Sequence, residues 1–148
     1  VLKTGVRTFE AAAYLRQRGA DTVEVKRLFS NSIDSYKAKY QLVSHAEIYH
    51  QCAIACADTV PSNVRVTAAQ AADELLGLQD VKASFVVYPA DGNINISARS
   101  LGDINVQLVM EQLGGGGHQT MAGAQIERDS IEHVKNQLME IIDSLGQQ

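Results

Sequence analysis

Four consecutive glycines followed by a histidine form the segment whose residue types point most directly to chemistry: Gly114, Gly115, Gly116, Gly117 and His118. Each glycine costs about 1 kcal/mol of helix or strand preference, so a folded domain keeps such a run where the backbone must approach something closely. Exposed amides there would bind an anion, and the histidine would add a donor or a switchable positive charge. The alternative is a flexible loop with a surface histidine.

A second candidate segment runs from Ile94 to Arg99 and is predicted to be a strand. Because side chains alternate along a strand, three apolar residues would share the core face and three polar residues the other: Asn95, Ser97 and Arg99. A guanidinium suits forked contact with a phosphate or a base edge. The alternative is an ordinary solvated face of a sheet.

The remaining titratable residues predict neither a metal site nor a catalytic pair. His45 and His50 are five residues apart, which is poor spacing for a shared ion. Asp73 and Glu74 are adjacent in a predicted helix and point in different directions. No Cys/His spacing resembles a zinc site, so we expect this chain to hold no metal cofactor.

The elements that position these segments begin with helices. Thr8 is predicted to cap the first helix, which Gly19 ends, and Asp21 to cap a short second one. Ser32 then opens a long helix whose apolar residues, at spacings of three and four, predict one buried stripe: Ile33, Tyr36, Tyr40, Val43, Ala46 and Tyr49.

Strands and helices follow in mixed order. A buried strand is predicted at 51–57, a loop at 59–63, and a helix opened by a capping box of Thr67 and Gln70 and ended by Gly77. Next come a strand at 81–88, a turn at Asp91-Gly92 and the strand 94–99. Within the first of these strands, the run 85–88 is predicted to be covered on both faces. A helix capped by Asn105, a strand at 122–127 and a helix opened by Asp129 complete the chain. This order predicts an α/β chain, with an α+β mixed sheet of four to five strands and helices packed on it.

Composition narrows the classes of function. With 148 residues, the chain is long enough for one domain with its own core. The net charge of −4 argues against broad binding to duplex DNA, although a small anionic ligand needs only a few positive groups. Cys52 and Cys56 would be about 13 Å apart in a strand, too far for a disulfide, so we expect reduced thiols in a cytosolic protein. No apolar run is long enough to span a membrane, and because the chain begins at Val1 rather than Met, we expect it to be part of something longer.

Taken together, three short segments resemble the C-terminal subdomain of the DHH phosphoesterases: Ser97-Ala98-Arg99-Ser100, Gly114 to His118, and Ala122-Gly123-Ala124. Residues 7–12 and 18–21 resemble the end of that family's metal domain and its connector. The resemblance implies that 1–50 are the helical end of the metal domain and the connector, and that 51–148 are the substrate-binding subdomain. Within the family, the chain looks most like the cyclic di-AMP phosphodiesterases of Gram-positive bacteria, which are anchored in the membrane with this part on the cytoplasmic face.

The resemblance implies metal-assisted phosphodiester hydrolysis, with two manganese ions in the N-terminal domain that this chain faces. Arg99 and His118 would contact phosphate or nucleotide, Ser97 and Ser100 would supply hydroxyls, and the glycines would let the ligand lie close. The Asp-His-His motif is absent from this sequence. We therefore expect the chain to recognise a dinucleotide without hydrolysing it.

Two other functions remain open. One is the same subdomain in a nuclease for short oligonucleotides or in a RecJ-like single-strand exonuclease, which would call for a basic groove with stacking aromatics. The other is a non-catalytic nucleotide-binding or dimerisation module, in which the long helix with Tyr36, Tyr40 and Tyr49 forms the interface of a homodimer. A strictly monomeric chain in analytical ultracentrifugation would count against that interface.

Overall fold

The computed structural model describes residues 5–30, 32–57 and 63–145. The chain divides into two compact units, 1–33 and 34–148. The assignment of 1–50 to a connector and of 51–148 to a substrate-binding subdomain stays a prediction. None of the helices in the described ranges combines the length and apolarity needed to cross a membrane.

The described residues form six helices and six strands. In chain order they are α1 (Val6–Gln17), α2 (Thr22–Leu28), α3 (Ile33–Ser44), β1 (Glu47–Tyr49), β2 (Cys52–Cys56), α4 (Val64–Leu75), β3 (Ala83–Ala90), β4 (Asn93–Ser100), α5 (Val106–Glu111), β5 (Gly116–His118), β6 (Met121–Glu127) and α6 (Ile131–Leu145). The α/β class and the mixed sheet with packed helices are confirmed.

The first unit holds α1 and α2. The predicted cap at Thr8 is wrong, because α1 begins two residues earlier and the Thr8 amide already donates to the carbonyl of Gly5 at 3.0 Å. The helix ends before Gly19, whose φ of +94° suits glycine. The cap of α2 is confirmed, since the Asp21 carboxylate accepts from the Val23 amide at 2.7 Å.

The six strands form one sheet in the order β1-β2-β3-β4-β6-β5. β2 and β3 are parallel and the other neighbours are antiparallel, so the sheet is mixed as predicted. The sheet has six strands rather than the predicted four to five. The sequence did not predict β1 and β5. Each has only three residues, too few to show an alternating pattern.

The predicted stripe along α3 is wrong at Ile33, Tyr36 and Tyr40, which are exposed, whereas Val43 and Ala46 are partly buried against the core. The helix ends at Ser44, and Tyr49 lies in β1. Tyr36 and Tyr40 are 55% and 63% exposed, whereas Leu42 is buried against α4. A tyrosine can cover apolar surface while its hydroxyl stays in water, so tyrosines at helical spacing do not identify the buried face of a helix.

The predicted capping box on α4 is also wrong. The helix begins at Val64, and Thr67 lies inside it, 2% exposed, with its amide donating to the Asn63 carbonyl at 3.0 Å. The helix ends before Gly77 as predicted. The predicted loop at 59–63 falls mostly outside the described residues.

The hairpin of β3 and β4 carries the centre of the sheet. The predicted turn is confirmed: Asp91 and Gly92 both have positive φ, 54° and 77°, as a tight two-residue turn requires. Residues 85–88 of β3 are at most 5% exposed, because helices cover both of its faces. β3 and β4 therefore form a rigid base on which the candidate residues of β4 are displayed.

Each face of the sheet has its own core. On one face, α5 and α6 pack through Val106, Met110, Val134 and Leu138, all fully buried. On the other face, α4 packs through small side chains, mainly alanines. The first face includes Cys52, where burial raises the pKa of the thiol to about 11, so it stays protonated at neutral pH. Both cysteines are thiols, as predicted.

Candidate ligand-binding face of the sheet

A polar face extends over β4, β6 and β5, on the side of the sheet that carries α4. Side chains of directly paired antiparallel residues lie on the same side of a sheet. The registers therefore give two cross-strand rows, one through Arg99, Met121 and His118 and the other through Ser97, Gly123 and Gly116. We define the polar face by these six residues together with Asn95 and Gln125, which pair at the hairpin end.

Over β6 and β5 the polar face is open, whereas the opposite face is closed. Met121 is 54% exposed, and His118 and Gln125 are also exposed. Their neighbours in sequence, Ala122 and Ala124, point to the other side and are buried under α5 and α6. The alternation that we predicted for β4 is confirmed, since Ile94, Ile96 and Ala98 belong to the same core.

The two rows of the polar face lie close together. Strands lie about 4.8 Å apart, so two steps across the sheet separate Arg99 from His118 by about 10 Å at the backbone. The row through Ser97 is two residues away along the strand, about 7 Å. Ser97, Gly115 and Gly123 also line an open groove of about 420 Å³ that continues toward Asn95 and Gln125.

Arg99 is the most firmly held cation of this face. Its side chain is only 13% exposed, and its Nε donates to the Oδ1 of Asp73 on α4 at 3.0 Å. One Nη1 hydrogen bond, also 3.0 Å, goes to the carbonyl of Ala98. The guanidinium is thereby fixed at the boundary between the α4-covered part of the sheet and the polar face.

His118 lies at the free edge of the sheet, in β5. Its ring is exposed, and no hydrogen bond or ion pair with another described residue engages it. Both ring nitrogens are therefore accessible to a ligand placed on the polar face.

The glycine run holds the backbone of this face in place by close packing. A β-carbon on Gly115 would lie 2.2 Å from the carbonyl oxygen of Gly123, and one on Gly117 would lie 2.5 Å from the Cα of Ala122. Gly114 has a φ of +75°, and Gly116 faces open space. The predicted close approach is thus an approach of the chain to its own β6 at two of the four positions.

The prediction of exposed amides is wrong for two of the glycines. The Gly114 amide donates to the carbonyl of Glu111 at 3.1 Å, and the Gly115 amide donates to that of Met110 at 2.8 Å. These bonds end α5 in the usual way for a glycine after a helix. Gly116 and Gly117 are in a strand rather than a loop, paired with β6.

Ser100 does not reach the polar face. It is 5% exposed, and its hydroxyl accepts a hydrogen bond from the Gly102 amide at 2.9 Å. It follows Arg99 directly, so its side chain points to the opposite side of the sheet from those of Ser97 and Arg99. The ligand contact that the resemblance implies for Ser100 stays a prediction.

Several residues of this region were missed by the sequence analysis. Asp73 pairs with Arg99 across 26 residues, and Arg65 and Tyr88 line the groove near the hairpin turn. The Arg65 guanidinium binds the Asp91 carboxylate at 2.6 Å, which raises the pKa of the arginine. Contacts between distant elements leave no signal in the sequence. The alternation along β6 is a local signal, and it could have assigned Met121, Gly123 and Gln125 to the polar face.

The fold is of α/β class, with a six-stranded mixed sheet that carries the polar face on one side. Residues 56–147 match the DHHA1 domain family, and the chain belongs to that family. The resemblance to the DHH-associated subdomain is thus confirmed.

Two curated relatives match nearly the whole chain. The cyclic-di-AMP phosphodiesterase GdpP of Geobacillus thermodenitrificans is 49% identical over 143 residues, 95% of this chain and 22% of that protein. The cyclic-di-AMP phosphodiesterase PdeA of Listeria monocytogenes is 46% identical over 145 residues, 97% of this chain and 22% of that protein. The chain therefore spans about a fifth of the length of these relatives.

Among solved structures, an exopolyphosphatase-related protein from Bacteroides fragilis has a TM-score of 0.79, with 18% identity. The match covers 98% of this chain and 46% of that protein. At this identity the likeness shows a shared fold.

Proposed function

We propose that this chain is the substrate-holding part of a phosphodiesterase that hydrolyses cyclic di-AMP or a related dinucleotide. The observation that carries the proposal is the identity of 46–49% with two cyclic-di-AMP phosphodiesterases over nearly the whole chain. The open polar face supports it, since it presents one fixed guanidinium and one accessible imidazole at a spacing suited to a compact anion.

Four residues of the polar face have distinct parts in the proposal. The free edge of the Arg99 guanidinium donates to phosphate oxygens in a forked arrangement. His118 donates from the sheet edge, and the Ser97 hydroxyl supplies a third polar contact from the neighbouring row. Gly116, with no side chain and open space in front of it, lets the ligand lie against the backbone.

Hydrolysis is assigned to a metal-binding domain elsewhere in a longer protein. The two manganese ions implied by the family would activate water and stabilise the phosphate. The described residues contain no group of three His, Cys, Asp or Glu side chains that could hold an ion. The described residues therefore do not fit the implied metal, and in this proposal their polar face would hold the substrate opposite that domain. A cytoplasmic location is in keeping with the two thiols.

We expect the isolated chain not to hydrolyse cyclic di-AMP in the presence of Mn²⁺. The reason is that holding a phosphate without an activated water leaves the chemical step uncatalysed. Product formation is followed by chromatography over a day, with a full-length cyclic-di-AMP phosphodiesterase as the positive control. If the isolated chain still hydrolyses the ligand after a further purification, the assignment of hydrolysis to another domain is contradicted.

We expect the chain to bind cyclic di-AMP and linear di-adenylate more tightly than a single-stranded 12-mer at equal salt. The polar face has two short rows, and the net charge of −4 gives no extended basic track for a longer strand. Calorimetric titration of the three ligands measures the order of affinities. Preference for the 12-mer would overturn the proposal in favour of a single-strand exonuclease.

A further inference from the structure

We propose that Asp73 is a positioning residue for the ligand: it holds Arg99 so that the free edge of the guanidinium faces the polar face. This inference rests on the proposed function, because it gives Arg99 a phosphate to bind. The contact itself is short, 3.0 Å between Arg99 Nε and Asp73 Oδ1, and Arg99 is 13% exposed.

The pattern of hydrogen bonds leaves the correct donors available. A guanidinium has five N–H donors, of which those to Asp73 and Ala98 use one on Nε and one on Nη1. The remaining three are on Nη1 and Nη2, which together form the forked edge that matches two phosphate oxygens. Because Asp73 binds at Nε, it orients the guanidinium without occupying that edge.

The position of Asp73 is itself fixed by the core. The preceding residue, Ala72, is fully buried, and its carbonyl accepts a hydrogen bond of 2.6 Å from the buried hydroxyl of Ser84. Ser84 lies directly opposite Arg99 in the register of β3 and β4. The same point of α4 is therefore attached to the sheet beside Arg99 by two contacts, one buried and one at the surface.

Two possible roles of Asp73 predict opposite effects of its removal on ligand affinity. A carboxylate near a bound phosphate repels it, so if Asp73 acted only by its charge, removing it would strengthen ligand binding. If Asp73 positions Arg99, removing it frees a long side chain that must be ordered again on binding. Ordering one such side chain weakens association by about two- to tenfold.

The adjacent residue provides a matched control. Glu74 forms an ion pair with Lys39 at 3.1 Å, and its exposure of 58% is close to the 60% of Asp73. Glu74→Ala removes the same charge and one surface ion pair from the same turn of α4, but it leaves Arg99 untouched.

The test is a titration of the chain with cyclic di-AMP. We expect Asp73→Ala to weaken binding two- to tenfold relative to Glu74→Ala, and Asp73→Asn, which keeps an acceptor for Nε, to retain it. In an Arg99→Ala background, Asp73→Ala should cause no further weakening, because there is no guanidinium left to position. If Asp73→Ala binds as tightly as Glu74→Ala while Arg99→Ala binds more weakly, the positioning role alone is overturned. If the wild type and Arg99→Ala bind equally tightly, the proposed function of Arg99 is overturned.

A second readout needs no ligand. The Nε–H resonance of Arg99 in ¹⁵N NMR reports the order of the guanidinium directly. We expect a rigid, slowly exchanging Nε–H in the wild type and in Asp73→Asn, and a mobile one in Asp73→Ala. Equal mobility in the wild type and Asp73→Ala would overturn the inference whatever the affinities are.

Discussion

Gly115→Ala is expected to lower the free energy of unfolding by about 3 kcal/mol, the upper end of the usual cost of overpacking. The added methyl group would meet the Gly123 carbonyl at 2.2 Å and the Cα of Ala124 at 2.6 Å. Both neighbours are backbone atoms of β6, so relief requires β5 to separate from β6. The lower entropy of the unfolded alanine chain offsets only about 0.4–1 kcal/mol of this loss.

Gly116→Ala is the matched control for this change. It makes the same substitution one residue further along, where a β-carbon would meet nothing within 4 Å. We expect its stability to stay within about 0.5 kcal/mol of the wild type. Urea denaturation followed by circular dichroism measures both variants, and coincident midpoints for the two would contradict the packing role assigned to Gly115.

Arg99→Ala is expected to weaken binding of cyclic di-AMP by about 10- to 150-fold. The estimate follows from the loss of charge-assisted hydrogen bonds, about 1.5–3 kcal/mol, converted at 1.4 kcal/mol for each factor of ten. The fold should survive, because the substitution leaves Asp73, 60% exposed, in contact with water rather than buried without a partner. Calorimetric titration at constant salt gives the ratio of affinities.

Lys135→Ala controls for the loss of one positive charge and one ion pair. Lys135 binds Glu47 at 2.8 Å and has a similarly restricted side chain, 24% exposed, but it lies on α6, away from the polar face. We expect its affinity to remain within about twofold of the wild type, since a remote surface charge is largely screened. If Lys135→Ala and Arg99→Ala lose the same affinity for cyclic di-AMP, Arg99 contributes only through the net charge of the chain.

The parts of the fold that local chemistry determines were predictable from the sequence. Alternation along β4 assigned Ile96 and Ser97 to opposite faces, and Asp91-Gly92 identified the hairpin turn. The predicted caps at Asp21 and Asn105 are confirmed by hydrogen bonds to Val23 and Gln107. These features depend on residues close in sequence, so their signals survive without knowledge of the tertiary structure.

The predictions that failed concern features that depend on contacts between distant residues. Thr67 has the sequence of a capping residue but is buried inside α4, because the helix begins three residues earlier to pack Val64 on the sheet. The glycine run indicated a close approach without showing that part of it is to β6. The pairing of Asp73 with Arg99 joins a helix to a strand, and neither residue carries a local sign of the other.

Mapping cyclic di-AMP onto the chain by ¹H–¹⁵N chemical-shift changes is the most direct test that the polar face binds the ligand. The method also detects weak binding. We predict saturable changes concentrated at Ser97, Gly116 and His118, and their loss in Arg99→Ala. Changes confined to the opposite side, around α5 and α6, or no change at millimolar ligand, would contradict the assignment of this face as the site that holds the dinucleotide.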